Sequence, residues 1–340
     1  MADTILKLSQ IAGQATAVRI LKAALPPGSP GNGYLFAGPA GVGKMTTALA
    51  WARALFCTDL QNQDACGRCG PCLKTQHENN PDLLILAPMV RDKKVKEEID
   101  IATVRGLISR LGFKPYEASR KVAIIKDADR LNLDAANALL KTLEEPSADT
   151  VLILTASNPA RLPATIISRC RALRFNPAPV EVMVDYLTSN KGVDKAQART
   201  LAVLSRGAIG SADPERLKTD MELRSLALEF IGGARSAPVA ECYVRARVMD
   251  KAKERDTVDK FLVMVLALLR EMAVMKFTGK RDKLVNIDII EEIEKAGRHY
   301  SGRRILDAAS MVEGLMASRS LNINPFLVVS LLFSELRKDL

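Results

Sequence analysis

A glycine-rich segment between two apolar runs constrains the fold of this chain more than any other feature. The run at 34–37 is typical of a buried strand and the run at 46–56 of a helix, and Gly38-Pro-Ala-Gly-Val-Gly-Lys44 lies between them. Glycines let backbone N–H groups turn inward around phosphate oxygens, and the positive end of the helix dipole adds to that attraction. Lys44 stands where such a loop needs a lysine to reach the β- and γ-phosphates of a nucleotide. The spacing therefore predicts a phosphate-binding loop rather than a plain glycine turn.

The residue after this lysine departs from the motif. The motif requires Ser or Thr there, because that hydroxyl binds Mg²⁺, whereas this chain has Met45. A thioether is a poor ligand for a hard cation. Thr46 is one residue further on, about 100° around the helix, so its hydroxyl cannot simply take that position. The loop is thus predicted to suit a nucleotide but not its metal ion. The candidate nucleotide-binding residues of this degenerate loop are Gly38, Gly41, Gly43, Lys44 and Thr46.

Short apolar runs alternate with helix-type runs through the first half of the chain. Strand-type runs occur at residues 34–37, 83–86, 122–125 and 151–154. The helix-type runs include residues 99–111, entered at Asp100, and residues 132–145. Strands that alternate with helices predict an α/β domain with a parallel sheet.

Strand signals fade beyond Pro177 and Pro179, which indicate a domain boundary. Short helical patterns follow, and then long amphipathic patterns that predict an all-helical C-terminal domain. Within it, residues 261–269 are apolar all round, which indicates a helix buried inside a bundle. We therefore expect an α/β domain over residues 1–176, a small helical domain over 177–216 and an all-helical domain over 217–340.

Composition favours some classes of protein and excludes others. The net charge is +10, and residues 1–176 hold 23 Lys and Arg against 16 Asp and Glu. This excess is compatible with a polyanionic partner such as nucleic acid or nucleotide phosphate. The chain has no run of 18 uncharged apolar residues, and it does not begin with a basic region followed by an apolar segment. We therefore expect a cytoplasmic protein without a signal peptide, a transmembrane helix or membrane contact.

Four cysteines form a second pattern, spaced Cys-x8-Cys-x2-Cys-x2-Cys within an insert over residues 57–72. In an intracellular protein such a cluster indicates a metal site more than disulfides. Four thiolates without an open position favour structural, tetrahedral zinc, with an iron–sulfur cluster as the competing interpretation. Cys170 and Cys242 are isolated and are expected to be ordinary core thiols. The expected metal ligands are Cys57, Cys66, Cys69 and Cys72.

Two further segments complete a family resemblance. They are Asn137-Ala-Leu-Leu-Lys-Thr-Leu-Glu-Glu-Pro146 and Ser168-Arg-Cys170. With the phosphate-binding loop and the cysteine insert, they make the whole chain resemble the bacterial sliding-clamp loader family, AAA+ proteins of the DNA polymerase III holoenzyme. Gly13-Gln14 also matches that family's N-terminal adenine-pocket element. The resemblance implies a P-loop domain, a helical lid and a helical collar for oligomerisation. The family has two relevant subunit types, the ATP-hydrolysing motor (tau or gamma) and the rigid stator (delta prime).

Three departures from the motor pattern favour the stator type, and Met45 is the first. The second departure comes directly after the strand-type run at 122–125. The family has an Mg²⁺-binding aspartate and then a water-orienting glutamate there, whereas this chain has Lys126 and Asp127. Because an ammonium repels a cation, Lys126 is expected either to act as a countercharge at the metal position or to pair with Asp127 or Asp129. The third is Gly210 in place of the lid's sensor arginine. Phosphoryl transfer depends on metal and positioned charge, so the resemblance implies no useful ATPase turnover and, at most, weak metal-independent nucleotide binding.

The resemblance also implies a role for Arg169, within the intact Ser168-Arg-Cys170 segment. In the family this arginine enters the ATP site of the neighbouring subunit as an arginine finger, which can supply several orders of magnitude in rate. A surface arginine or a structural ion pair is the alternative. The implied assembly is a nucleoid-associated pentamer with delta and motor subunits that places the sliding clamp on primed DNA. The competing hypotheses are a motor subunit of the tau or gamma type and a stand-alone DNA-binding zinc protein.

Overall fold

The computed structural model describes residues 7–25, 31–88, 90–91, 94–95, 98–145, 149–234, 255–281, 284, 286–317 and 325–337. The chain divides into two compact units, Met1–Ala212 and Asp213–Leu340. The three-part division expected from the sequence stays a prediction. Cys242, one of the two expected core thiols, lies outside the described residues.

A parallel sheet forms the centre of the first unit. The strands are β1 (Gly33–Ala37), β2 (Leu83–Leu86), β3 (Val90–Arg91), β4 (Lys94–Val95), β5 (Lys121–Ile125), β6 (Thr150–Ala156) and β7 (Arg171–Arg174). Five of the described strands form the sheet, in the order β2-β5-β6-β1-β7. Every pairing in it is parallel, with Leu35 of β1 opposite Leu154 of β6. The predicted α/β class with a parallel sheet is confirmed, and each of the four predicted strand-type runs forms a strand.

The sequence analysis did not predict the other strands. β7 lies at an edge of the sheet, where its two arginines are exposed and only Leu173 is buried. An edge strand needs no continuous apolar run, because much of its surface faces solvent. β3 and β4 pair antiparallel as a separate two-stranded ribbon. Each has only two residues, which is too short for a period of two to appear in the sequence.

Helices lie between these strands along the chain, and further helices follow β7. In the first unit they are α1 (Ala15–Ala23), α2 (Lys44–Phe56), α3 (Gly70–Gln76), α4 (Ile101–Leu111), α5 (Leu133–Glu144), α6 (Ala164–Ile167), α7 (Val180–Lys191) and α8 (Lys195–Leu204). The side chain of Asp100 caps α4 by accepting from the backbone N–H of Thr103 at 3.0 Å. Ile99 precedes the helix because it forms a β-bridge with Leu131. The helix entry expected at Asp100 is therefore confirmed.

Two apolar layers form on opposite faces of the sheet. Successive strand residues point to opposite faces, so neighbouring positions of one strand contribute to different layers. Phe36 packs in the layer with α1 and α2, whereas Leu35 packs in the layer with α4 and α5. The first layer is centred on Trp51, which is fully buried and whose indole N–H donates to the carbonyl of Leu21 at 3.0 Å. The helix after the glycine loop is thus fixed to the core.

The described part of the second unit is helical. It contains α9 (Leu217–Gly233), α10 (Arg255–Thr278), α11 (Ile290–Gly297), α12 (Gly302–Ala317) and α13 (Pro325–Arg337). Phe261, Val265 and Leu269 of α10 are fully buried, which confirms the predicted buried stretch. Among the helices of the described residues, none combines the length and apolar character needed to cross a bilayer.

Candidate functional site

The glycine loop joins the end of β1 to the start of α2, as predicted. Gly41 and Gly43 adopt positive φ angles of 76° and 96°, which L side chains rarely adopt. Gly38 is required for another reason, since a Cβ there would lie 2.0 Å from the carbonyl oxygen of Phe175. The backbone therefore has the turn that directs loop N–H groups inward at the N-terminus of a helix.

The ammonium of Lys44 is held on this loop. Its Nζ donates to the carbonyl oxygens of Gly38 at 2.6 Å and Pro39 at 2.7 Å, and to Oγ of Ser157 at 3.2 Å. Burial lowers the pKa of Lys44, and the nearby carboxylates of Asp127 and Asp129 oppose that shift. The structure thus brings the loop lysine together with the acidic residues that follow β5.

The hydroxyl expected by the motif has no replacement in the first turn of α2. Met45 is partly buried and packs against the apolar layer around Trp51. Thr46 is exposed. The hydroxyl of Thr47 donates to the carbonyl of Gly43 at 2.8 Å, so it satisfies the helix backbone. A thioether thus occupies the position after the lysine. Of the next two residues, Thr46 is exposed and Thr47 uses its hydroxyl for the helix backbone.

The residues after β5 also have defined partners. Lys126 is exposed, and its backbone N–H donates to the carbonyl of Leu86 at 2.8 Å. Asp127 has a left-handed backbone, with φ of 52°, and its N–H donates to Oγ1 of Thr155 at 3.1 Å. Within the described residues, Lys126 forms no ion pair with Asp127 or Asp129. The carboxylate of Asp129 instead accepts from the backbone N–H groups of the two residues at 157–158.

The segment around Gly210 packs directly on the glycine loop. The N–H of Gly210 donates to the carbonyl of Gly41 at 2.8 Å, and a Cβ at Gly210 would lie 3.2 Å from that oxygen. Gln14, from the predicted adenine-pocket element, is buried and donates through Nε2 to the carbonyls of Val42 at 3.1 Å and Asn176 at 2.7 Å. The loop is therefore fastened on two sides by segments distant in sequence.

The four predicted metal ligands converge. Their Sγ atoms all lie within 4.8 Å of one another, and those of Cys57 and Cys69 are 4.0 Å apart. A tetrahedral zinc ion with Zn–S bonds of about 2.3 Å spaces its sulfurs about 3.8 Å apart, so the cluster fits a single ion. The backbone N–H groups of Cys66 and Cys69 lie 3.3 and 3.4 Å from the sulfurs of Cys57 and Cys66, respectively. The donor set is suitable for a closed structural metal site.

The thiols differ in their surroundings. Burial raises the pKa of Cys69, but hydrogen bonds from the backbone of Thr58 and Cys72 outweigh burial and lower that pKa to about 6. At Cys72, burial dominates and raises the pKa. Cys170 lies outside the cluster, and burial raises its pKa to about 11, as for an ordinary core thiol. Cys170 is therefore a suitable control for experiments on the cluster.

Asp64, which the sequence analysis did not single out, ties the cysteine insert to the N-terminal segment. Its buried carboxylate accepts from the backbone N–H groups of Leu8 at 3.0 Å, Ser9 at 2.7 Å and Ala65 at 2.8 Å. Lys22 lies 3.7 Å from the same carboxylate. A buried carboxylate with this number of donors fixes the position of the insert against the domain.

We expect Asp64→Asn to lower the stability of the first unit by about 2 kcal/mol, because an amide cannot accept all these bonds and leaves buried N–H groups unsatisfied. Thermal unfolding of the purified chain measures this as a fall of about 4–8 °C in the midpoint. Asp59 is the matched control, since its ion pair with Arg68 lies on the surface of the same insert. Asp59→Asn should leave the unfolding midpoint unchanged, because solvent screens an exposed ion pair. Equal effects of the two substitutions would contradict the anchoring role.

Arg169 lies just beyond α6 on the surface. Its guanidinium donates through Nε to Oε1 of Glu144 at 2.7 Å and through an NH1 proton to the carbonyl of Thr165 at 3.0 Å. Both side chains of the ion pair are partly exposed, with 35% of Arg169 and 47% of Glu144 accessible. The arginine is thus surface-accessible and also ion-paired. Sequence patterns do not indicate this contact, because Glu144 and Arg169 are 25 residues apart.

Comparisons with known proteins give a consistent result. The family model described as DNA polymerase III, delta subunit matches residues 13–179. The DNA polymerase III subunit delta' of Bacillus subtilis is 30% identical over 265 residues, which are 78% of each chain. The delta' subunit of Pseudomonas aeruginosa is 40% identical over 139 residues, 41% of each chain. The tau subunit of Bacillus subtilis is 30% identical over 232 residues, 66% of this chain and 38% of that protein.

The fold and the site together define the class of this protein. A parallel sheet whose β1 leads through a glycine loop into a helix is a P-loop domain of the α/β class. With the sequence similarities above, the chain belongs to the family of DNA polymerase III clamp-loader subunits of the delta prime type. A gamma subunit-related protein of Thermotoga maritima is similar in structure at 16% identity and a TM-score of 0.49, covering 96% of this chain and 99% of that one. The fold assignment depends on the sheet topology and not on this similarity.

Proposed function

We propose that this chain is a non-hydrolysing stator of the DNA polymerase III clamp loader. It assembles with delta and with motor subunits of the tau or gamma type in a hetero-pentamer, which places the sliding clamp on primed DNA in the cytoplasm. In that complex Arg169 acts in trans on the ATP of a neighbouring motor subunit. The observation that carries the proposal is Met45, whose partly buried side chain packs against the core where the motif requires a metal-binding hydroxyl.

Further features of the site support the loss of hydrolysis. Lys126 places a positive charge after β5, where the family has an Mg²⁺-binding aspartate, and Asp127 is one methylene shorter than the family's glutamate. Gly210 stands in place of the lid's sensor arginine, and a Cβ there would lie 3.2 Å from the carbonyl oxygen of Gly41, so an arginine would require the two segments to shift by a few tenths of an ångström. One such change could be compensated elsewhere in the site. Together they remove the metal ligands and the positioned charge on which phosphoryl transfer depends.

Ligand binding and domain organisation complete the proposal. The glycines at 38, 41 and 43 and Lys44 bind nucleotide phosphates weakly and without Mg²⁺, and Lys126 supplies a countercharge. The four cysteines hold one structural zinc ion, for which their sulfur spacing is suitable. Residues 1–176 act as the P-loop domain, 177–216 as the lid and 217–340 as the oligomerising collar.

The second candidate is a motor subunit of the tau or gamma type. The similarity to the tau subunit of Bacillus subtilis favours it, because 66% of this chain takes part in that match. The substitutions at Met45, Lys126 and Gly210 oppose it for the reasons above. The two candidates differ in one measurable property, which is ATP hydrolysis by the isolated chain.

We expect the purified chain to hydrolyse no ATP and to bind it with an affinity that changes less than about twofold when Mg²⁺ is added, because Met45 and Lys126 offer the cation no ligand. Calorimetry with and without Mg²⁺ measures the binding, and phosphate release measures hydrolysis. Lys44→Ala is the control for loop-specific binding and should abolish it. Hydrolysis by the isolated chain, or strong Mg²⁺ dependence of binding, would favour the motor candidate.

A further inference from the structure

Glu144 is the acidic partner of Arg169 and is the last residue of α5. One of its carboxylate oxygens, Oε1, lies 2.7 Å from Nε and 2.5 Å from NH2 of the arginine. Leu143 beside it is buried in the apolar layer between the sheet and α5, so the backbone at this point is held by the core. The carboxylate therefore projects from a fixed point of the domain.

The guanidinium of Arg169 retains donors after these contacts are made. Arginine has five N–H donors. Nε donates to Glu144 and NH1 donates to the carbonyl of Thr165, while NH2 lies 2.5 Å from the same carboxylate oxygen in the ion pair. The hydroxyl of Ser168, at 3.5 Å from NH1, is a weak acceptor. Two N–H groups therefore remain for another acceptor, while the plane of the guanidinium is already held from two sides.

We propose that Glu144 is a positioning residue for Arg169, an inference that rests on the finger role proposed above. A free arginine side chain on the surface samples many rotamers, and a neighbouring phosphate would have to select one of them. The ion pair with Glu144 limits these rotamers before Arg169 contacts the ATP of the neighbouring subunit. The remaining N–H donors of Arg169 then approach the phosphate oxygens as a fork in a set orientation.

The next residue provides a matched control. Glu145 carries the same charge one position along the chain and is also exposed. Within the described part of the structure, Arg169 pairs with Glu144 and not with Glu145. A general effect of negative charge near the arginine should therefore follow removal of either glutamate. A positioning effect should follow removal of Glu144 alone.

The test uses the reconstituted loader, with the motor sites that do not face this chain inactivated through their own P-loop lysines. We expect Glu144→Gln to lower kcat at the remaining site by about three- to tenfold, with the KM for ATP and the assembled mass unchanged. Glu145→Gln should leave kcat unchanged. In an Arg169→Ala background, Glu144→Gln should have no further effect, because there is no side chain left to position.

Several results would overturn the inference. An unchanged or raised kcat for Glu144→Gln would mean that the glutamate is neutral or restrains the arginine. An effect that persists in the Arg169→Ala background, or that Glu145→Gln reproduces, would mean a structural or general electrostatic role. If Arg169→Ala itself had no effect, the proposed finger role would fail and this inference with it. If Arg169→Ala lowered kcat and Glu144→Gln did not, only the inference about Glu144 would fail.

Discussion

Arg169→Ala is expected to lower ATP hydrolysis at the neighbouring motor site by about a thousandfold, because an arginine finger stabilises the charge that develops on the transferred phosphoryl group. The substituted chain should still fold and assemble, since Arg169 is partly exposed and its ion pair lies at the surface. A single-turnover measurement on the assembled loader, with the other motor sites inactivated as above and with clamp and primed DNA present, reports the rate at that site. Native mass measurement of the same sample reports the assembly.

Two further variants sharpen this experiment. Arg169→Lys should recover only part of the lost rate, because an ammonium has the charge but not the planar fork that matches the phosphate oxygens. Arg161→Ala is the control for loss of a surface charge, since Arg161 is an exposed arginine shortly before Arg169 in the sequence, and it should leave the rate unchanged. If Lys44→Ala abolished hydrolysis by the loader while Arg169→Ala left it intact, the roles of the two sites would be reversed. This chain would then be the motor.

Local patterns were sufficient to predict much of the fold and of the candidate site. The strands at 34–37 and 122–125 could be predicted because buried parallel strands need continuous apolar runs. The glycine loop and the cysteine cluster could be predicted because their chemistry needs particular residue types at close spacing. The N-cap at Asp100 could be predicted because a helix start leaves unsatisfied N–H groups that a nearby carboxylate accepts.

Contacts between distant segments could not be predicted in this way. Gln14 and Asn176 are 162 residues apart, Asp64 is 56 residues from Leu8, and Glu144 is 25 residues from Arg169. Each pair depends on where the sheet and the helices bring two segments together. An isolated acid or amide in a sequence has no period and no spacing that reveals its partner. The edge strand β7 was missed because its burial depends on its position in the sheet.

Cys72→Ser is expected to have the second large effect, through loss of the metal. Cys72 is fully buried on α3, and its sulfur is one of four within 4.8 Å of one another. Metal binding supplies folding free energy at such a site, because the unfolded chain has no preformed ligand set. We expect the bound zinc to fall from about one ion per monomer to well below that value. Elemental analysis of the purified chain measures it directly.

The stability of the first unit should fall with the zinc. A loss of about 4 kcal/mol corresponds to a decrease of about 10 °C in the unfolding midpoint. Hydrogen exchange should locate the change at residues 57–76 and also at Leu8 and Ser9, because Asp64 joins the insert to that segment. Treatment of the unsubstituted chain with a chelator should produce the same pattern. The effect would then be due to the metal and not to the serine.

Cys170→Ser provides the control for this experiment, since Cys170 is a free thiol outside the cluster. It should retain the full zinc content, and any loss of stability should not extend to residues 57–76. Iron in the purified chain would contradict the zinc assignment and favour an iron–sulfur cluster. If the purified chain held no metal and Cys72→Ser left its unfolding temperature unchanged, the four thiols would be only buried side chains. Because all four sulfurs converge within 4.8 Å of one another, as unrelated buried thiols need not, we expect the metal-dependent result.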